Sequence, residues 1–102
     1  MATLHTVNKS PMDRNTLEAC LRLVKEGSSV LMIEDGVYGV LKGTRKSGVV
    51  EDAMKGIKFY ALGGDLKARG IDESKIIDGV NIVDYAGFVN LAAESDRVQS
   101  WL

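Results

Sequence analysis

Ser28-Ser29-Val30-Leu31-Met32-Ile33-Glu34-Asp35-Gly36 is the stretch that decides the fold. Its apolar residues, Val30 to Ile33, run together without alternation and stop at an acidic turn that ends in glycine. A strand with one wet face would alternate polar and apolar residues. An unbroken apolar run is expected of a strand covered on both faces, as in a parallel sheet flanked by helices. Upstream, Ser10 reads as an N-cap, Pro11 as the first helical residue and Asp13 as the acid of the first turn. A helix is then expected to about Glu26, with Leu17, Cys20, Leu21 and Val24 as its apolar stripe and Gly27 closing it in a left-handed conformation. Thr3 to Val7 precedes it as a short strand.

Downstream, Val37–Leu41 and Val49–Met54 read as two short helical pieces, split by the polar stretch Lys42 to Ser47. Lys58–Leu62 is the next strand, ending at Gly63-Gly64-Asp65. Leu66–Arg69 is a single turn broken by Gly70, and Val80–Val83 is a further strand. A helix is expected from about Ala86 to Glu94, and Val98–Leu102 is an edge strand or a tail. Alternation of this kind predicts an α/β fold: one domain over residues 1–102, an open, mainly parallel sheet of four or five strands with helices on both faces.

The composition narrows the function classes. The chain has 102 residues, 45% of them hydrophobic and 26% charged, with 13 Lys and Arg against 14 Asp and Glu. That suits an ordinary globular domain and not a disordered one. No apolar run approaches the roughly 18 residues of a membrane span, and no secretory signal is visible. A net charge of -1 removes the bulk electrostatic case for direct nucleic-acid binding. One cysteine and one histidine, Cys20 and His5, cannot form an intrachain disulfide or supply a structural zinc site. No metal or cofactor is expected. Any nucleophile–histidine arrangement would have to use His5 as its base, so the inventory argues against a self-contained enzyme.

Ligands of open α/β sheets sit at the carboxyl ends of the strands. The turns expected there are Asn8-Lys9-Ser10, Glu34-Asp35-Gly36, Gly63-Gly64-Asp65 and Asp84-Tyr85. They make Lys9, Ser10, Asp35, Gly36, Asp65, Asp84 and Tyr85 candidate binding residues, with Arg69 close behind. The same residue types are also what such turns and helix caps require for purely structural reasons. Lys9 beside the first helix N-terminus would suit an anion, which allows a small anion-binding module as one reading. No G-x-G-x-x-G or G-x-x-x-x-G-K-[ST] fingerprint supports a nucleotide. Gly36, Gly39 and Gly43 recur at short spacing, which in a helical stretch points to close packing. Cys20 is the one good nucleophile candidate, yet it sits inside the apolar stripe, where free cysteine commonly acts as a small hydrophobe. His5 reads as a structural histidine hydrogen-bonded near the sheet end. Trp101 and Leu102 form an apolar terminus that must pack on the core or at an interface.

Several segments, taken in order, carry a resemblance. Leu4-His5-Thr6 with Lys9-Ser10-Pro11, then Glu34-Asp35-Gly36-Val37, then Asp65-Leu66-Lys67-Ala68-Arg69-Gly70, then Val83-Asp84-Tyr85-Ala86-Gly87-Phe88-Val89, with the terminal Trp101, resemble the DsrH/TusB family of small sulfur-relay proteins. The resemblance implies a DsrE/DsrF-like α/β fold and a cytoplasmic setting. It also implies a heterohexamer with two homologous partners, one DsrE/TusD-like and one DsrF/TusC-like, and a DsrC/TusE-like acceptor protein. In such relays sulfur travels as a cysteine persulfide, and the main transfer cysteine lies on the DsrE/TusD-like subunit. DsrH-like members, found with sulfur oxidation, carry a cysteine in the first helix as Cys20 stands here. TusB-like members serve thiolation of a tRNA wobble uridine and typically lack it. On this ground the sequence favours a sulfur-oxidation subunit with Cys20 as an auxiliary persulfide carrier. The alternatives are a TusB-like subunit for tRNA thiolation, or an interaction subunit without transfer chemistry of its own.

Overall fold

Parallel pairing requires a crossover between successive strands, and the spacing of apolar runs leaves room for one each time. The computed structural model describes residues 2–12 and 14–101. It runs β1 (Thr3–Val7), α1 (Thr16–Leu23), β2 (Ser29–Met32), a 3₁₀ helix (Glu34–Val40) and α2 (Ser47–Ala53). It continues through β3 (Lys58–Leu62), α3 (Gly63–Ala68), a second 3₁₀ turn (Glu73–Lys75), β4 (Asn81–Val83), α4 (Tyr85–Glu94) and β5 (Arg97–Trp101). The strands form one sheet in the order β4-β3-β2-β1-β5, every pair parallel. The expected α/β architecture is therefore present, and Val98–Trp101 belongs to an edge strand. Leu102 lies outside the described residues, as does the first-turn acid Asp13.

The register assigns the two faces. His5 lies opposite Val30 and Gln99, Val7 opposite Met32 and Trp101, Val30 opposite Phe59, and Met32 opposite Ala61. Since side chains alternate along a strand, these residues share one face. Val7, Val30, Met32, Phe59 and Ala61 form a single apolar cluster there with Leu17, Cys20, Val37, Val40, Val50 and Leu66. Leu4 and Leu31, also buried, stand outside that cluster on the second face. Successive right-handed crossovers from β1 through β4 step in one direction and place α1, α2 and α3 on the first face. The return from β4 to β5 crosses the sheet the other way and places α4 on the second, where Gly87 packs against Val83. Ile76 and Ile77 are buried by a strap: Leu41 bridges Ile76, and the Ile77 N–H donates to the Val40 carbonyl at 2.9 Å.

The first helix departs from its sequence expectation. Residues 10–12 and 14 are not helical. The Ser10 hydroxyl accepts from the Met12 N–H at 3.3 Å, and its carbonyl accepts from the Arg14 N–H at 3.0 Å, so the Ser-Pro signal caps a separate turn. Pro11 is held there against Gly39, where an added Cβ would approach the Pro11 ring at 3.2 Å. Helix α1 starts only after Asn15 and stops at Leu23, because Val24 is already extended. Gly27 does take a left-handed φ of +88°, but within a Lys25–Ser28 turn and not at a helix end. The first of the two helical pieces is likewise a 3₁₀ helix that absorbs the Glu34-Asp35-Gly36 turn. Gly36 and Gly39 meet the close packing expected of them, against the Val7 carbonyl and the Met32 side chain respectively. Gly43 has open space and a φ of +70° instead.

Candidate functional site

The crossover leaving β3 enters α3 on one face of the sheet, and that leaving β4 enters α4 on the other. Between two such strands a crevice opens at their carboxyl ends. A cavity of about 900 Å³ lies there, with Gly63, Gly64, Lys67, Val83, Asp84 and Gly87 in its walls. Asp84 is committed to structure: its Oδ1 accepts from the Gly87 N–H at 2.8 Å and so caps α4. Asp72, also in the wall, accepts from the Ser74 N–H at 2.9 Å, which holds its carboxyl below the usual carboxylate range. Tyr85 points away from the crevice chemistry; it is 71% exposed and meets Phe88 edge-on.

One turn further along the same edge, sequence candidates from two loops converge. Arg69 Nη2 lies 2.9 Å from Asp35 Oδ1, and Arg69 Nε donates to that oxygen at 3.0 Å. Arg69 Nη1 donates to the Asp65 carbonyl at 3.2 Å. Asp65 Oδ2 in turn accepts from the Glu34 N–H at 2.7 Å, securing Glu34 at a φ of +49° that a non-glycine residue seldom adopts. This arrangement straps the turns after β2 and β3 together. Its donors and acceptors are largely spent on each other.

Lys9, Ser10 and Asp35 meet around a smaller hollow of about 360 Å³. Arg14, which the sequence pattern did not single out, completes it. Because α1 begins at Thr16, Lys9 and Ser10 do not stand at a helix N-terminus. The anion-binding reading loses the backbone N–H cluster on which it depended.

Cys20 lies one turn into α1, not far down a long helix, and its side chain is fully buried among the core residues. Burial pushes its thiol up to about 12. Burial thus disfavours the thiolate, which is the reactive form. On the same sheet face, Trp101 Nε1 donates to His5 Nδ1 at 3.0 Å, which bears out His5 as a hydrogen-bonded structural residue. Burial holds the His5 pKa below its ordinary value. Among the described residues no group of three or more His, Cys, Asp or Glu side chains could hold a metal ion.

Helix α4, Tyr85-Ala86-Gly87-Phe88-Val89-Asn90-Leu91-Ala92-Ala93-Glu94, is apolar almost all round, yet none of its residues is buried. A helix of that composition normally lies inside a structure. Phe88, Leu91 and Ala92 are half-covered by the sheet, whereas Val89 is 49% exposed and Ala86 and Ala93 share its outer stripe.

The DsrH-like protein family model matches residues 9–98, which takes in every strap and hollow described above. Protein TusB of Escherichia coli strain K12 is 36% identical over 98 residues, covering 96% of this chain and 99% of that protein. Protein TusB of Shigella flexneri matches to the same extent. The chain belongs to the DsrH/TusB family. Solved structures share its fold: the YchN protein of Escherichia coli superposes with a TM-score of 0.80 over 99% of this chain and all of that one, at 18% identity. A protein of unknown function from Methanobacterium thermoautotrophicum gives a TM-score of 0.71 at 19% identity, covering 96% of this chain and 97% of that one. For a member of this family, the crevice, the Asp35–Arg69–Asp65 strap and the bare helix α4 are the features that need a role. No helix among the described residues is long and apolar enough to cross a membrane.

Proposed function

We propose that the chain is a cytoplasmic subunit of a TusB-like sulfur relay that serves 2-thiolation of a tRNA wobble uridine. On this reading it works by assembling with homologous TusC-like and TusD-like subunits in a heterohexamer that feeds a TusE-like acceptor. The observation that carries the reading is the 36% identity to TusB proteins over nearly the full length of both chains. The bare apolar helix α4 supports the assembling role, since it needs a cover that the described residues do not provide. The main ground for the sulfur-oxidation branch was Cys20 in the first helix. With the thiol sealed in the core and its pKa raised to about 12, Cys20 has the surroundings of a packing residue. That weakens it as a marker of a DsrH-like persulfide carrier and favours the TusB-like alternative.

Deleting the gene in its own host and measuring 2-thiouridine in digested tRNA by mass spectrometry tests the reading. Loss of the modified base, restored by the intact gene, is expected. Normal thiouridine together with impaired oxidation of stored sulfur would sink it and reinstate the DsrH-like branch.

A further inference from the structure

Helix α1 stops at Leu23, three residues before the sequence pattern would end it, and that early stop uncovers part of the first sheet face. Above β1 and β5 a cavity of about 550 Å³ is left, with His5, Leu23, Lys25, Arg97, Gln99 and Trp101 among its walls. We propose that this cavity binds a small organic anion, a carboxylate or phosphate carried on an apolar body.

The floor is His5, more than nine-tenths buried. Because the Trp101 indole donates to Nδ1, that nitrogen carries no proton, and the neutral ring holds its hydrogen on Nε2. Among the described residues no hydrogen bond engages Nε2, and the His5 ring lines the cavity. Lys25 and Arg97 stand at the rim, and neither pairs with a carboxylate among the described residues. A buried donor under two unpaired cations is a suitable seat for an oxyanion. The Trp101 ring and Leu23, which is 65% exposed, give the rest of the wall an apolar part beside the polar Thr3, Ser28 and Gln99. An inorganic anion would leave that wall wet, whereas an apolar body would cover it. The volume falls in the range of small-molecule sites, which combine apolar walls with a few fixed polar groups. The site lies at the opposite edge of the sheet from the β3–β4 crevice, toward the amino ends of its strands, and is independent of the sulfur-relay reading.

Trp101 is the chain's one tryptophan, so it reports the site directly. Its fluorescence in the full chain is followed at constant ionic strength during titration with benzoate, inorganic phosphate and neutral benzamide. Saturable change with benzoate and none with benzamide is expected, weakened about tenfold in Lys25→Gln and in Arg97→Gln. Phosphate acting as well as benzoate would assign the site to free oxyanions and remove the apolar wall from the proposal. No saturable change with either anion, or a change that both variants leave intact, would overturn it. Both rim residues are exposed, so the variants fold.

Discussion

Gly36 has no room for a side chain. A Cβ built there runs into the Val7 carbonyl, which already accepts from the Ile33 N–H at 3.0 Å. Backbone cannot retreat as the tip of a flexible side chain can. Gly36→Ala is therefore expected to cost about 2–3 kcal/mol and to lower the melting temperature by about 10 °C or more, read by calorimetry. The glycine spacing in the sequence already pointed to close packing at this place. What it could not convey was the partner, because Val7 is 29 positions away and comes close only through the β1–β2 pairing. The same holds for the strap. Asp35, Asp65 and Arg69 were each legible as carboxyl-end residues, but their convergence depends on β2 and β3 being neighbours. Arg14, Lys25, Arg97 and Gln99 were not legible as site residues, since isolated polar residues in loops and edge strands look alike in a sequence.

Among the elements, β3 occupies the span its apolar pattern predicts, Lys58–Leu62, and α1 does not. The difference is physical. A central strand is specified by its own residues, whereas the start of α1 was read from a Ser-Pro signal that serves an independent turn packed on Gly39. Helix α4 was foreseen within one residue of its start, and Asp84 proves to be its cap. The interface expected from the sequence lay at Trp101 and Leu102, not on this helix. The run of Phe88, Val89, Leu91, Ala92 and Ala93 without a polar face is nonetheless the signal that could have marked a surface in need of a partner. Val89→Asp tests it. The residue is half-exposed in the isolated chain, so unfolding free energy should change by no more than about 0.5 kcal/mol. Co-purification with the homologous subunits should fall at least about tenfold, because a carboxylate would be buried unpaired. Unimpaired co-purification would place the interface elsewhere.

At the scale of the whole molecule, two titrations separate cleanly. Burial lowers the His5 pKa from 6.5, and protonation would also cost the Nδ1 hydrogen bond from Trp101. The unfolded chain then binds this proton more readily than the folded one. The contribution is present above about pH 6.5 and is lost as the pH falls through the lower folded value. Melting temperature should drop on acidification below about pH 6.5, less steeply in His5→Gln. Glu18, hydrogen-bonded and ion-paired to Lys46, acts only at lower pH: its pKa is held below 4.5, so its contribution fades as the pH falls through that lowered value. Taken together, the molecule presents an uncovered apolar helix, strapped loops and a buried thiol at Cys20. On the proposed reading, sulfur is carried by partner subunits. The most direct test is to load the reconstituted complex of this chain and its homologous partners with a sulfane-sulfur donor and to measure the mass of each subunit. Added sulfur on a partner cysteine and none on Cys20 is predicted; a sulfur atom added to Cys20 would contradict the account.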